Sequence, residues 1–458
     1  MFAFYYRIIK KTVIILYIIL FLLTANSVFA GGMNKDFEAN VKKIINKAMQ
    51  DSTAWEQLAY LCDTFGPRPS GSESLNKALM WMKGEMQKDG LENVKAEEAY
   101  VPHWVRGREF CELVKPRKEQ LHMIGLGGSI ATPPEGITAP LLIVNSFEEL
   151  KARAKEAKGK IVLFNKPWMG YGDAVQFRFN GAVYAAEAGA VASLIRSCSP
   201  IGMQNPHTGV MGYNDTIPKI PNAAISLEDA EMLERMEKRG QNPVVHLYME
   251  AKTLPDVKSY NVMGEIKGSE RPGEIIVVGG HTDCWDPGLG AQDDGGGAIS
   301  AWKAVKLLKD LGIKPKCTIR AVMFVNEENG TKGGKAYAVD HKNDNTKLMF
   351  EFDSGVFEPQ SIGFSGSDAQ METVKGFEPY LKILDDSISV VKGGWGVDIS
   401  PLAKQNNIPV MSLGTNDEGK YFWYHHSATD TPDKVNPAVM NKCIAAIAIS
   451  LYLYSETK

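Results

Sequence analysis

The chain has 458 residues, of which 44% are hydrophobic and 23% are charged, and its formal net charge is −3. This length accommodates two or three domains, and the composition is that of a globular protein with a sizeable core. A charge so close to neutral gives no reason to expect nucleic acid or an acidic membrane surface as a partner. The six cysteines are widely spaced and form no CxxC pair, which argues against a cysteine-ligated zinc site.

The first 30 residues differ from the rest of the chain. Three basic residues precede an apolar run over 12–23, and Val28-Phe29-Ala30 offers small residues for cleavage. The apolar run is shorter than the roughly 20 residues that a membrane span needs. The pattern therefore predicts a signal peptide over 1–30 rather than a retained anchor. We expect a secreted or periplasmic protein with no stable membrane insertion after cleavage.

Helical and strand-like patterns alternate along most of the mature chain. Apolar residues repeat with helical spacing over 34–49, 54–63 and 73–88, and an edge strand is predicted over 94–101. After residue 253 the alternation resumes, with helices predicted over 297–309, 333–340, 368–384 and 437–454. Such alternation predicts an α/β fold with a mostly parallel central sheet and helices on both faces. We expect one domain made of residues 31–113 and 253–458.

The stretch over 114–252 has a different character. Short apolar runs over 141–144, 161–164, 191–195 and 244–249 are separated by loops rich in glycine and proline. Helices are predicted over 181–188 and 227–238. We interpret this stretch as an inserted β-rich domain with no chemistry of its own, because its histidines are scattered. The runs over 159–164, 182–195 and 220–226 resemble those of a protease-associated domain.

Three apolar, strand-like runs end at side chains that can bind a metal. The first run ends at His281 and Asp283, the second at Glu327 and Glu328, and the third at Asp353. Two further candidates are Asp293, in an Asp-Asp-Gly-Gly-Gly segment, and His426, near the C-terminus. The carboxyl ends of parallel strands meet at one edge of a sheet, where ligands bind. Imidazole and carboxylate ligands in this combination suit zinc better than any other cofactor.

The number of candidates favours two zinc ions per chain. A catalytic zinc takes about three protein ligands, so two ions that share one carboxylate need about five. The chain supplies that number in His281, Asp293, Glu328, Asp353 and His426. A single ion would leave buried carboxylates without charge partners, which is costly. Paired zinc ions bind and activate one water between them.

Two further carboxylates are available for other roles. Asp283 lies two residues after His281 and would project to the same side of a strand, where it could orient the imidazole. Glu327 is adjacent to Glu328 but should point elsewhere, and a free carboxylate beside an activated water is a natural general base. The residues alone leave the choice between His425 and His426 open.

These motifs resemble those of the co-catalytic zinc aminopeptidases and glutamate carboxypeptidases. The matching segments, which extend the resemblance over most of the mature chain, are His281-Thr282-Asp283, Asp293-Asp294-Gly295, Glu327-Glu328, Asp353 and His426-Ser427-Ala428-Thr429-Asp430-Thr431. The resemblance implies that Asp293 bridges two zinc ions, often next to a cis peptide bond. It assigns His281 and Asp353 to one ion, and Glu328 and His426 to the other.

The same resemblance implies a function. Glu327 would be the general base, Asp283 would orient His281, short peptides would be the substrates, and the enzyme would be a homodimer. Two alternatives remain: a single-zinc enzyme of the glutaminyl cyclase type, and a non-catalytic binding protein of the same fold. The complete ligand set argues against the first, and the presence of Glu327 argues against the second.

Overall fold

A computed structural model describes residues 33–457, so the predicted signal peptide over 1–30 lies outside the described residues. The helices are α1 Lys35–Ala48, α2 Thr53–Phe65, α3 Glu73–Lys88, α4 Phe147–Ala152, α5 Ala154–Ala157, α6 Tyr171–Glu187, α7 Leu227–Lys238, α8 Gly296–Asp310, α9 Lys332–Asp340, α10 Asp368–Lys375, α11 Glu378–Leu381, α12 Ser400–Asn406, α13 Tyr421–Tyr424 and α14 Pro437–Ser455. The strands are β1 Glu92–Val105, β2 Glu109–Lys115, β3 Glu119–Leu121, β4 Met123–Gly125, β5 Ile137–Val144, β6 Ile161–Phe164, β7 Ala192–Arg196, β8 Asn222–Ile225, β9 Val244–Met249, β10 Lys252–Ile266, β11 Arg271–His281, β12 Cys317–Phe324, β13 Asn345–Glu351, β14 Glu358–Ser365, β15 Ser389–Lys392 and β16 Val410–Asn416.

The first of two eight-stranded sheets in the described residues has the strand order β1-β10-β12-β11-β13-β16-β14-β15. Its four central strands, β12, β11, β13 and β16, run parallel. Antiparallel pairs flank them, between β1 and β10, β10 and β12, and β14 and β16. The predicted α/β fold with a parallel centre is confirmed, and β1 is the edge strand that was predicted over 94–101.

Helices cover both faces of this sheet. Ile276 and Val278 of β11 pack into a core shared with α1, α2, α3, α8 and α14. Ile275 and Val277 face the other way and pack with residues of α9 and α12. This division follows from the alternation of side chains along a strand. Helix α14 is long and apolar enough to cross a membrane, but most of it is buried in the first of these cores.

Residues 109–249, called the insert below, form the second sheet in the order β3-β2-β9-β5-β6-β7-β8-β4. Strands β5 to β8 are parallel, and α6 and α7 pack against them. The predicted boundary between residues 113 and 114 falls inside β2. The chain leaves the first sheet earlier, at a turn where Gly107 has a φ of +70°.

Two helices differ from their predicted extents. Helix α6 begins at Tyr171 rather than at residue 181. The sequence did not predict its first half, because the buried residues there are scattered and form no regular apolar stripe. The predicted helix over 368–384 is divided into α10 and α11. Gly376 ends the first of these, and Pro379 occupies the first turn of the second, where a proline is tolerated.

Candidate metal centre

The predicted metal ligands lie at the carboxyl ends of the central parallel strands. Strand β11 ends at His281, Glu327 and Glu328 follow β12, and Asp353 follows β13. Since β11 pairs in parallel with both β12 and β13, these three ends meet at the same edge of the sheet. The peptide bond between Asp293 and Asp294, which follows β11, is cis.

All five predicted ligands come together at this edge. His281 Nε2 lies 3.3 Å from Asp293 Oδ1 and 3.9 Å from Asp353 Oδ1. His426 Nε2 lies 2.8 Å from Glu328 Oε2 and 3.3 Å from Asp293 Oδ2. Asp293 therefore presents one oxygen to each histidine and lies between two pairs of ligands.

The chemistry of this cluster fits metal cations. Four of its buried atoms have no hydrogen-bond partner among the described residues, namely His281 Nε2, Asp293 Oδ2, Glu328 Oε1 and Asp353 Oδ1. Burial raises the pKa of Glu328 well above its ordinary value, and the adjacent Asp293 carboxylate adds to the effect. Burial also raises the pKa of Asp353 well above its ordinary value. Buried atoms without partners and crowded carboxylates are costly, and metal cations would relieve both.

Two adjacent histidines reach this cluster. The rings of His425 and His426 stack with centroids 3.6 Å apart. His425 Nε2 lies 3.7 Å from Asp293 Oδ2, whereas His426 Nε2 is closer to the same oxygen and also close to Glu328. Burial lowers the pKa of His425 to about 4 although the Asp293 carboxylate opposes this shift. The geometry favours His426 as the ligand and leaves a neutral His425 facing the cleft.

Asp283 has a different contact from the one predicted. His281 Nδ1 lies 2.9 Å from the backbone carbonyl oxygen of Asp283 but 3.8 Å from its carboxylate. Strand β11 ends at His281, so the strand alternation that the prediction assumed does not continue to Asp283. The Asp283 carboxylate instead accepts the backbone N–H groups of Glu327 and Glu328, at 3.2 and 3.3 Å. It therefore holds the loop that carries both glutamates.

Glu327 lies beside the cluster without joining either pair of ligands. Its Oε2 is 3.9 Å from His281 Nε2. Its side chain lines a cleft of about 860 Å³. Burial raises the pKa of Glu327 to about 7, with His281 opposing the shift and Asp293 adding to it. A carboxyl group with these properties can exchange a proton with a bound substrate near neutral pH.

Two buried residues that the sequence did not single out as functional hold the loop bearing Asp293. Asp430 accepts three consecutive backbone N–H groups, those of Ala291, Gln292 and Asp293, at 3.0, 2.7 and 3.2 Å. Arg68 donates to the carbonyl oxygen of Gly66 at 3.2 Å and to those of Thr282, Leu289 and Gly290 at 2.8, 2.7 and 3.0 Å. Asp430 belongs to the motif that begins at His426, whereas no local signal marks Arg68.

The insert forms one side of the cleft. Tyr171 and Arg178 of α6 and Met211 of a later loop line this side. Arg178 is only 4% exposed, and its Nε has no hydrogen-bond partner among the described residues. Its Nη1 lies 3.4 Å from the Thr208 carbonyl oxygen and 3.3 Å from His426 Nδ1, both of which are uncharged. A positive charge that has no hydrogen-bonded carboxylate among residues 33–457 therefore borders the cleft.

This arrangement of histidines and carboxylates, at the strand ends of an α/β fold, is that of a metal-dependent peptidase. Comparison with known proteins supplies the family. Residues 261–450 match peptidase family M28. The chain is also 45% identical to carboxypeptidase Q of Mus musculus over 426 residues, which cover 92% of this chain and 90% of that protein. The chain belongs to peptidase family M28.

Other relatives agree with this assignment. Carboxypeptidase Q of Homo sapiens is 45% identical over 423 residues, covering 91% of this chain and 88% of that one. The crystal structure of a peptidase M28 precursor from Shewanella amazonensis superposes with a TM-score of 0.88, at 33% identity, over 93% of this chain and 98% of that chain. A zinc aminopeptidase from Bacillus subtilis shares the fold, with a TM-score of 0.64, 21% identity and coverage of 87% and 93%. The predicted fold, enzyme class and family resemblance are confirmed.

Proposed function

We propose that the chain is a di-zinc exopeptidase that hydrolyses dipeptides and other short peptides. The observation that carries this proposal is the position of Asp293, whose two carboxylate oxygens face His281 and His426 separately. In this assignment Asp293, His281 and Asp353 would hold one zinc ion, and Asp293, Glu328 and His426 would hold the other. The buried atoms without partners in this cluster support the assignment.

The residues of the chain then have separate roles in peptide hydrolysis. Zinc ions bound here would supply Lewis acidity, which polarises the peptide carbonyl and lowers the pKa of water. Glu327 takes the proton from the attacking water and delivers it to the leaving amine, serving first as base and then as acid. Asp283 keeps Glu327 in place through the backbone N–H that it accepts. Asp430 and Arg68 fix the loop that carries Asp293.

The walls of the cleft favour small substrates with a free carboxyl end. The insert and the catalytic loops enclose a volume of about 860 Å³, which suits a short peptide better than a folded chain. Arg178 supplies a buried positive charge at this wall, and a guanidinium is well suited to a carboxylate. The name carboxypeptidase Q, carried by relatives that match most of this chain, agrees with that polarity.

The remaining features of the proposal concern the whole protein. The peptidase domain would be formed by the residues on either side of the insert, and the insert itself would be a protease-associated-like domain. Cleavage of the signal peptide over 1–30 would place the enzyme outside the cytoplasm, either secreted or periplasmic. We also propose a homodimer, on the basis of the family resemblance.

A library of dipeptides with free or blocked ends tests the substrate proposal. Each peptide is offered in four forms, with the amino end free or acetylated and the carboxyl end free or amidated. We expect efficient cleavage of short peptides with a free carboxyl end and weak cleavage of their amides. Efficient cutting inside a long unstructured protein, with no preference for either end, would contradict the proposal.

A further inference from the structure

We propose that the backbone of Thr208, in the insert, positions the metal ligand His426. This contact requires glycine at position 209, because a larger residue there would collide with the His426 ring. The inference rests on the proposed role of His426 as a zinc ligand. It assigns to the insert a part in building the metal centre, in addition to its part in enclosing the cleft. The residues involved lie more than 200 positions apart in the chain.

The first observation is a pair of contacts between Thr208 and His426. The backbone N–H of Thr208 donates to the carbonyl oxygen of His426 at 2.9 Å. The carbonyl oxygen of Thr208 lies 3.3 Å from Nδ1 of the same histidine. His426 has a φ of +58°, in the left-handed region that few residues other than glycine adopt. Thr208 therefore holds both the backbone and the ring of His426.

The second observation concerns the two ring nitrogens of His426. Nε2 faces Glu328 and Asp293, so a zinc ion held there would use the lone pair of Nε2 and leave the hydrogen on Nδ1. Nδ1 has two neighbours at 3.3 Å, the Thr208 carbonyl oxygen and Arg178 Nη1. A guanidinium has no acceptor atom, so only the Thr208 carbonyl can accept that hydrogen. Metal-binding histidines are oriented in this way when their other nitrogen donates to a carbonyl.

The third observation is the lack of space around Gly209. Its φ is +129°, and a Cβ atom at this position would lie 2.6 Å from His426 Nδ1 and still closer to the Arg178 guanidinium. The loop cannot easily retreat, because it is tied to the insert's sheet. Gly209 accepts a hydrogen bond from the Gly127 backbone at 2.9 Å, and Thr208 Oγ1 donates to the Gly125 carbonyl at 2.8 Å. A methyl group at position 209 must therefore displace the His426 ring or Arg178.

The test compares Gly209→Ala with Gly159→Ala in the full-length mature protein. Gly159 also lies in the insert and has a φ of +73°, but apart from its own chain neighbours no heavy atom of the described residues lies within 4 Å of the Cβ that alanine would add. Both variants therefore carry backbone strain, and only one crowds the metal ligand. Zinc titration against a competing chelator measures the affinity of each site. Circular dichroism confirms that each variant is folded.

We expect two zinc ions per chain in the wild type and in Gly159→Ala. In Gly209→Ala one zinc should be retained and the affinity for the other should fall about 10–100-fold, the usual effect of losing a residue that orients a ligand. Wild-type affinity at both sites in Gly209→Ala would overturn the inference. Equal weakening of both sites would overturn it too, because that result indicates general destabilisation. A wild type that holds fewer than two zinc ions would instead refute the proposed function.

A measurement on the wild type keeps the inference testable if Gly209→Ala does not fold. Nitrogen NMR of zinc-loaded protein with ¹⁵N-labelled histidines reports the ring state of His426, assigned with a His426→Gln variant. We expect a protonated Nδ1 whose hydrogen exchanges slowly with solvent, because Thr208 accepts it in a buried position. An unprotonated Nδ1, or one that exchanges freely, would contradict the proposed contact.

Discussion

Replacing Glu327 with glutamine isolates the proton transfer from the rest of the site. Glu327 lies 3.9 Å from His281 Nε2 yet belongs to neither ligand pair, so the change leaves the proposed ligands in place. Glutamine keeps the shape of the side chain, and the backbone N–H that Asp283 accepts is unchanged. We therefore expect normal zinc content and nearly normal substrate binding.

Turnover should fall because the amide cannot carry the proton from water to the leaving amine. General acid–base catalysis contributes about 10²–10⁴-fold, and removing it raises the activation barrier by about 3–5 kcal/mol. We expect a loss of kcat in that range with KM changed by less than about threefold, the pattern for an interaction made only in the transition state. The assay is steady-state hydrolysis of an unblocked dipeptide, with zinc measured on the same samples.

Glu328→Gln is the matched control because it changes the next residue in the same way. Its Oε2 lies 2.8 Å from His426 Nε2, so this variant removes a charged ligand and should lose zinc. A Glu327→Gln variant that loses zinc while Glu328→Gln keeps it would show that the two glutamates have been assigned the wrong way round. Unchanged turnover in Glu327→Gln would refute its role as the base.

Three further predictions concern other parts of the structure. Arg178→Met should raise KM about 10–100-fold for dipeptides with a free carboxyl end and change KM little for their amides, since hydrogen bonds to charged groups contribute about 1.5–3 kcal/mol. Equal effects on both kinds of substrate would refute the role of Arg178 in binding the carboxylate. Asp430→Asn should weaken zinc binding about 10–100-fold, because it removes one of the two oxygens that accept hydrogen bonds from the loop carrying Asp293. Zinc titration measures this, and unchanged affinity would count against it. Burial raises the pKa of Glu97, but hydrogen bonds from His341 and Lys95 outweigh this and lower it to about 2. At pH values above the ordinary pKa of 4.5, these hydrogen bonds to Glu97 stabilise the fold by at most about 3 kcal/mol. The stabilisation disappears as the pH falls toward 2. The difference in urea unfolding free energy between wild type and Glu97→Gln should therefore shrink between about pH 5 and pH 2, and a constant difference would contradict the assignment.

The parallel centre and the clustering of the five candidate ligands could be predicted because their signals are local. An apolar run that stops at His281, and another that stops just before Glu327, mark both a buried strand and its end. Parallel strands then bring those ends together without any further information. The same local reasoning placed the Asp283 carboxylate beside the His281 ring, but β11 ends at His281 and the carboxylate instead accepts the backbone N–H groups of Glu327 and Glu328.

The supporting residues could not be predicted because their partners are distant in the chain. Arg68 contacts a loop more than 200 positions away, and Arg178 reaches His426 across 248 positions. Helix α6 has a weak apolar stripe, so the sequence placed its start after Tyr171 and Arg178. The contribution of the insert to the site depends on how it packs against the first sheet, and no local pattern encodes that packing.

The zinc content of the purified mature protein tests the central claim most directly. The claim is that Asp293 joins two metal sites, one completed by His281 and Asp353 and the other by Glu328 and His426. Elemental analysis combined with zinc titration should give two zinc ions per chain. A single tightly bound ion, with no second site at any zinc concentration that leaves the protein folded, would contradict it.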